Sequence, residues 1–230
     1  DKRDVNLPPC QQKLLEAVLQ SGKPVVVVLS SGSALAVDAG NALLQAWYPG
    51  QAGGTALARI LFGEVSPSGR LPVTFYHGVE ELPPFEDYAM TNRTYRYFEG
   101  KPLYPFGYGL SYAKFVYSDA DYADGALSVT VENIGDCDAD EVVQAYVKDE
   151  ESPFAVRNTS LCAVKRIHLT KGEAARVTLP IREEAFDAFN DQGERVRLGK
   201  RFTLSVGGSQ PDARSVELTG VAPLAVSIEK

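Results

Sequence analysis

The sequence predicts two architectures in one chain: part of an α/β layer first, then an all-β sandwich of immunoglobulin-like type. Three observations carry this. The 230 residues allow one large domain or two small ones, at about 150 residues per domain. A β-branched run, Val25-Val26-Val27-Val28-Leu29, lies between segments with helical spacing, as a parallel strand buried on both faces does. From about Leu127 onward, short alternating runs recur with turn residues between them, the texture of an antiparallel sandwich.

The elements follow in order. Leu14, Leu15, Val18 and Leu19 share one helical face, and Ser21-Gly22-Lys23-Pro24 stops that helix. The valine run is the first strand. After Ser30-Ser31-Gly32-Ser33 and a small-residue stretch, Leu43-Leu44-Gln45-Ala46-Trp47 reads as a second buried strand. Pro49–Gly54 is a glycine-rich loop, Thr55–Phe62 a helix ended by Gly63, and Pro67–Phe75 a turn into a further extended segment. About three strands is too few for a closed sheet, so residues 1–75 look like part of a larger one.

Residues 76–118 change character. They hold Pro83, Pro84, Pro102 and Pro105 and are dense in tyrosine. That richness in aromatics argues for a packed segment rather than a floppy linker. Residues 119–230 form the sandwich, with alternating runs at Leu127–Val131, Val143–Val147, Val164–Leu169, Val177–Ile181 and Phe202–Val206. Between them fall turn signals such as Asn133-Ile134-Gly135-Asp136 and Lys171-Gly172-Glu173, while Glu183–Phe189 reads as a single helical turn.

Composition narrows the function classes. Net charge is −7; residues 1–115 are neutral, with 10 basic and 10 acidic groups, and the second half carries the whole imbalance. Such a chain repels nucleic acid, whose binding needs a basic face. The apolar runs fall far short of the roughly 20 residues of a membrane helix. Cys10, Cys137 and Cys162 make no disulfide framework, and the odd count leaves a free thiol, which points to a reducing, cytoplasmic compartment. Asp1-Lys2-Arg3-Asp4 is no signal peptide and reads as the middle of something longer. The sequons at Asn92 and Asn158 carry no weight.

No self-sufficient catalytic set emerges. The loop at Pro49–Gly54 follows a strand and opens a helix, where anions bind, yet it matches neither a dinucleotide fingerprint nor a P-loop. Asp136–Glu141 starts like a calcium loop but has Glu141 and Val147 where Gly and Glu are needed, so it reads as a solvated turn. His77 and His168 are the only histidines, and neither has metal-ligand spacing. The lone carboxylates Asp38, Glu64, Glu86 and Asp87 fit acid/base work no better than other surface acids do.

Several long motifs, in order, resemble the C-terminal part of glycoside hydrolase family 3, the β-glucosidase and β-xylosidase group. They are Trp47-Tyr48-Pro49-Gly50-Gln51-Ala52-Gly53-Gly54, then Leu61–Phe75, then Tyr95-Arg96-Tyr97-Phe98, then Leu103–Tyr112. Val129–Asp136, Glu141–Val147 and Phe202–Gly208 resemble that family's fibronectin type III-like domain. Arg93–Phe98 after Pro83-Pro84-Phe85 is more similar to the β-xylosidase members.

The resemblance implies an N-terminal TIM barrel absent from this chain, then an α/β sandwich of which residues 1–75 are the C-terminal part. It also implies a nucleophilic Asp on that barrel and an acid/base Glu just upstream of Asp1-Lys2-Arg3-Asp4, so neither catalytic residue lies in this chain, which alone is expected to be inactive. No cofactor and no metal are implied. The expected partners are the barrel and a glycoside or oligosaccharide substrate. Loops at the C-terminal ends of parallel strands shape ligand sites, which makes Ser31, Gly32, Trp47 and Gln51 the expected pocket wall. Tyr88, Tyr95 and Tyr97 are candidates to stack on a sugar. The rival reading is a non-catalytic module that binds carbohydrate or protein.

Overall fold

The computed structural model describes residues 3–230. Asp1 and Lys2, the first half of Asp1-Lys2-Arg3-Asp4, lie outside the described residues. Helix α1 runs Pro9–Leu19 with proline at its first position, where a fixed φ and a missing N–H cost nothing. Gly22, at φ 68°, follows its end. Strands β1 (Val26–Leu29) and β2 (Ala42–Gln45) pair in parallel, Val26 opposite Ala42 and Leu29 opposite Gln45. Helix α2 is Gly53–Leu61. Leu29, Leu35 and Val37 form a small core under Leu7, Leu15 and Leu43.

Three expectations here are corrected. The valine run is not buried on both faces, since Val26 is 48% and Val28 38% exposed. The second strand ends at Gln45 rather than Trp47, because Trp47 turns into the left-handed region at φ 53°. Pro67–Phe75 forms no third strand: it is tied to residues 104–108 only by Phe75 with Tyr104 and by Leu71 with Gly107 and Tyr108. Pro72 on one side and Pro105 on the other lack the N–H groups a continuous ladder requires.

Residues 76–114 carry a 3-10 turn at Val79–Glu81 and one helical turn, α3 (Thr94–Tyr97). The sandwich then folds as two sheets. One has strand order β11-β10-β5-β6 and the other β3-β4-β7. Their ranges are β3 Phe115–Ala123, β4 Ala126–Asn133, β5 Ala139–Asp149, β6 Ser160–Leu169, β7 Ala174–Pro180, β10 Arg201–Gly207 and β11 Leu224–Glu229. A two-residue ribbon joins β8 (Ala188–Phe189) to β9 (Arg195–Val196) after a 3-10 turn at Glu183–Phe186. Strands β3 and β11 and helix α4 (Ala213–Thr219) go beyond the alternating runs of the sequence. Asp212 caps α4 by accepting the N–H groups of Arg214 and Ser215, and Gly220 ends it at φ 72°, as helix-end chemistry requires.

Alternation does the packing. In β4, Leu127, Val129 and Val131 are completely buried and meet Val143 and Ala145 of β5, Val177 and Leu179 of β7, and Phe202, Leu204 and Val206 of β10. Strand β5 is buried along most of its length, including Gln144 and Tyr146. Tyr95 and Phe106, stacked at 4.1 Å, both set their rings edge-on to Tyr146. The aromatic segment is therefore fastened to the sandwich.

Candidate functional site

The two loops at the C-terminal ends of β1 and β2 are bound to each other. Ala46 donates its backbone N–H to the Leu29 carbonyl at 2.8 Å, and the Ser30 hydroxyl donates to the Trp47 carbonyl at 3.0 Å. The Gln45 amide donates to the Ser31 carbonyl at 3.3 Å and to its Oγ at 3.2 Å, while Ser31 Oγ donates onward to the Ser33 carbonyl at 2.8 Å. Gly32 lies against the Tyr48 ring, and a Cβ there would come within 2.7 Å of Cε2. The half-buried Trp47 indole meets Phe75 edge-on at 6.2 Å.

Three of the four expected wall residues, Ser31, Gly32 and Trp47, thus share one loop pair. Gln51 is exposed in the turn into α2, and among the described residues no hydrogen bond joins it to the other three. A residue the motifs did not single out, Gln45, sits in the same place. Its Oε1 is buried with no hydrogen-bond partner. Such an orphan acceptor is costly and suits a hydroxyl or N–H brought from outside these loops.

The lone carboxylates separate by environment. The Tyr104 hydroxyl donates to Asp38 Oδ1 at 3.0 Å. Burial, then this bond to Asp38, pushes the Tyr104 hydroxyl well above the usual phenol range, so it stays a donor. Glu64 pairs with Arg59 at 3.4 Å on the surface. Glu86 and Asp87 are exposed on the loop between the 3-10 turn and α3. Of the three tyrosines considered for stacking, Tyr95 is committed to Phe106 and accepts the Leu161 N–H at 3.0 Å. Tyr97 is half-buried, and Tyr88 is 93% exposed.

The acidic run needs correction at one end. Asp136 is a surface acid paired with Lys171 at 2.9 Å, but Glu141 is buried. Its Oε2 receives Arg70 Nη2 at 2.7 Å and its Oε1 receives the Tyr117 hydroxyl at 2.7 Å. Burial, then the Glu141 charge, raises the Tyr117 pKa far above normal. Arg70 Nε also donates to the Gly208 carbonyl at 3.0 Å, and the Gln144 amide bridges the Gly107 and Gly208 carbonyls at 3.0 and 2.9 Å. This cluster joins the motif around Arg70 to the sandwich. One signal was available: Glu141 continues an inward alternation of Ala139, Val143 and Ala145, where a charge needs a buried partner.

A cleft of ≈ 670 Å³ opens between the aromatic segment and the sandwich, lined by Phe98, Phe106, Asn158 and Arg214 among others. Its Lys101 and Arg214 are already paired with Glu217. Among the described residues, no group of three or more His, Cys, Asp or Glu side chains could hold a metal ion, and no helix is long and apolar enough to cross a membrane.

Comparison with known proteins identifies the two parts. Residues 1–112 match the glycosyl hydrolase family 3 C-terminal domain, and residues 141–210 match a fibronectin type III-like domain. The chain is 37% identical to a xylan 1,4-beta-xylosidase of Xylanibacter ruminicola, over 95% of this chain and 26% of that protein. It is 37% identical to thermostable beta-glucosidase B of Acetivibrio thermocellus, over 92% of this chain and 31% of that one. The crystal structure of a Bifidobacterium adolescentis GH3 beta-glucosidase superposes with a TM-score of 0.85 at 32% identity, over 99% of this chain and 36% of that one. The chain thus spans between a quarter and a third of the curated relatives it matches.

Proposed function

The chain belongs to glycoside hydrolase family 3, carrying that family's C-terminal domain and a fibronectin type III-like domain, and from that premise we propose that it is the C-terminal portion of a retaining, exo-acting β-glycosidase. The substrate is a terminal β-D-xylosyl or β-D-glucosyl unit. The match over both domains to enzymes named for those sugars carries this reading.

Retaining hydrolysis needs a nucleophilic carboxylate and an acid/base carboxylate roughly 5–5.5 Å apart across the sugar. One must stay ionised while the other holds its proton. In this reading both come from outside the chain, the nucleophile from an N-terminal barrel. The chain's own work is to build one side of the pocket. Ser31 and Gln45 offer polar groups to sugar hydroxyls, Gly32 lets the two loops touch, and Trp47 gives the wall an apolar backing. Gln51 extends it toward α2. Because Trp47 rests on Phe75, the wall is positioned before substrate arrives, which is how binding energy is kept for the transition state.

The test is turnover of p-nitrophenyl β-xyloside and p-nitrophenyl β-glucoside. This chain alone is expected to release no nitrophenol. Joined to a family 3 barrel region it should turn over at least one of the two. Hydrolysis by the isolated chain, or a silent assembled enzyme, contradicts the proposal.

A further inference from the structure

The match to the family 3 C-terminal domain runs to residue 112, but from residue 67 onward the chain is shaped by the sandwich. Residues 67–112 carry one 3-10 turn, one helical turn and one isolated bridge. A segment so poor in backbone ladder leaves carbonyls without partners, and buried ones need a donor from elsewhere. The sandwich supplies it. The buried Gln144 amide donates to the Gly107 carbonyl at 3.0 Å. Asn158, just before β6, donates its side-chain amide to the Tyr95 and Phe98 carbonyls at 2.9 Å each and its backbone N–H to the Arg96 carbonyl at 2.8 Å. The Arg214 guanidinium of α4 donates to the Leu103 carbonyl at 3.2 Å.

The fit is close as well as polar. Arg70 and Glu141 meet with side chains only 9% and 3% exposed. At Gly107, φ 77°, a Cβ would come within 2.4 Å of Gln144 Oε1 and 2.5 Å of the Tyr146 hydroxyl, so the segment lies against β5 where only glycine fits. Bonds back to the α/β half, from the Tyr104 hydroxyl to Asp38 and from the Tyr112 hydroxyl to the Ile60 carbonyl at 2.8 Å, lie at the surface.

The contacts also pair one motif with another. Arg70, Tyr95 and Gly107 belong to the runs Leu61–Phe75, Tyr95–Phe98 and Leu103–Tyr112. Their partners Glu141, Gln144, Tyr146 and Gly208 belong to Glu141–Val147 and Phe202–Gly208. We infer that residues 67–112 fold as one cooperative unit with the sandwich, and that the fibronectin-like domain is the template that gives this stretch of the preceding domain its shape. The surface that does so is the face of β5 with Asn158 and α4 beside it, and its partner is a segment of the same chain.

Native-state hydrogen exchange of this chain across a urea series tests the inference. The amides of Leu71, Phe75 and Gly107, each bonded within the segment, should exchange with the free energy and urea slope of Val143 and Leu204. Exchange at a lower free energy and shallower slope overturns the inference, because the segment then opens by itself. A second measurement uses Asn158→Ala, which removes two bonds to the segment and leaves the strands as they are. Leu71, Phe75, Gly107, Val143 and Leu204 should all exchange about tenfold faster, with Val27 and Leu43 unchanged. A change confined to the segment, one shared by Val27 and Leu43, or none at all overturns the inference.

Discussion

The two halves of the molecule solve the burial problem to very different degrees. In the sandwich, Leu127, Val129, Val131, Val143 and Leu204 are completely shielded from water and belong to one continuous core. Among the described residues of the α/β half, Leu29, Leu35 and Val37 make one small buried cluster, Phe75 is buried apart from it, and helix α1 buries none of its residues. It also leaves Leu14, Val26, Val28 and Phe62 in water, Phe62 being 84% exposed. A two-stranded parallel sheet with uncovered valines departs from the rule that parallel sheets are covered on both faces. The difference teaches that the sandwich closes a continuous core between its own two sheets, whereas the α/β half leaves its strands largely uncovered. That fits relatives three to four times longer than this chain.

Breaking the joint between the halves should have the largest effect. Arg70→Ala leaves the Glu141 carboxylate buried and unpaired among Tyr117 and β5. Losing one partner of such a pair costs about 3–5 kcal/mol, read as a fall in the urea midpoint of the sandwich. A double replacement, Arg70→Met with Glu141→Leu, should recover much of that loss, because the desolvated charges go together. If Arg70→Ala leaves the midpoint unchanged, the joint is ornamental and the halves are independent.

A paired truncation sharpens the contrast. Leu204→Ala in the sandwich should cost about 2–5 kcal/mol through lost burial and a cavity. Val28→Ala, at a residue 38% exposed in β1, should stay within about 0.5 kcal/mol. Both are measured by denaturant unfolding of this chain. Equal costs would mean that the α/β half is as well packed as the sandwich.

Much of this was legible in the sequence because it rests on local pattern. The valine run and the alternation in β4, β5, β7 and β10 gave strands in the right places, and the helical spacing before Gly22 gave α1. What stayed hidden depends on partners distant in the chain. Glu141 looks like one acid in a solvated run until Arg70, 71 residues away, is placed beside it. Proline on both sides of the Phe75–Tyr104 bridge turned an expected strand into two anchor points. Strand β3 breaks its alternation at a register shift between Ser118 and Asp121, so its inward residues Phe115, Tyr117, Ala120 and Tyr122 do not keep one two-residue period. The rule for loops at the C-terminal ends of parallel strands pointed to Ser31, Gly32, Trp47 and Gln51, but Gln45 became visible only through its orphaned amide oxygen.

The sandwich closes its own core and the α/β half does not. Native-state hydrogen exchange on this chain tests it most directly. Amides of Val27 and Leu43 are expected to exchange through local opening, at free energies well below that of global unfolding, while those of Val129, Val143 and Leu204 exchange only with global unfolding. Val27 and Leu43 as protected as Val143 would mean that the α/β half is as firmly packed as the sandwich, which contradicts the contrast in burial between the two.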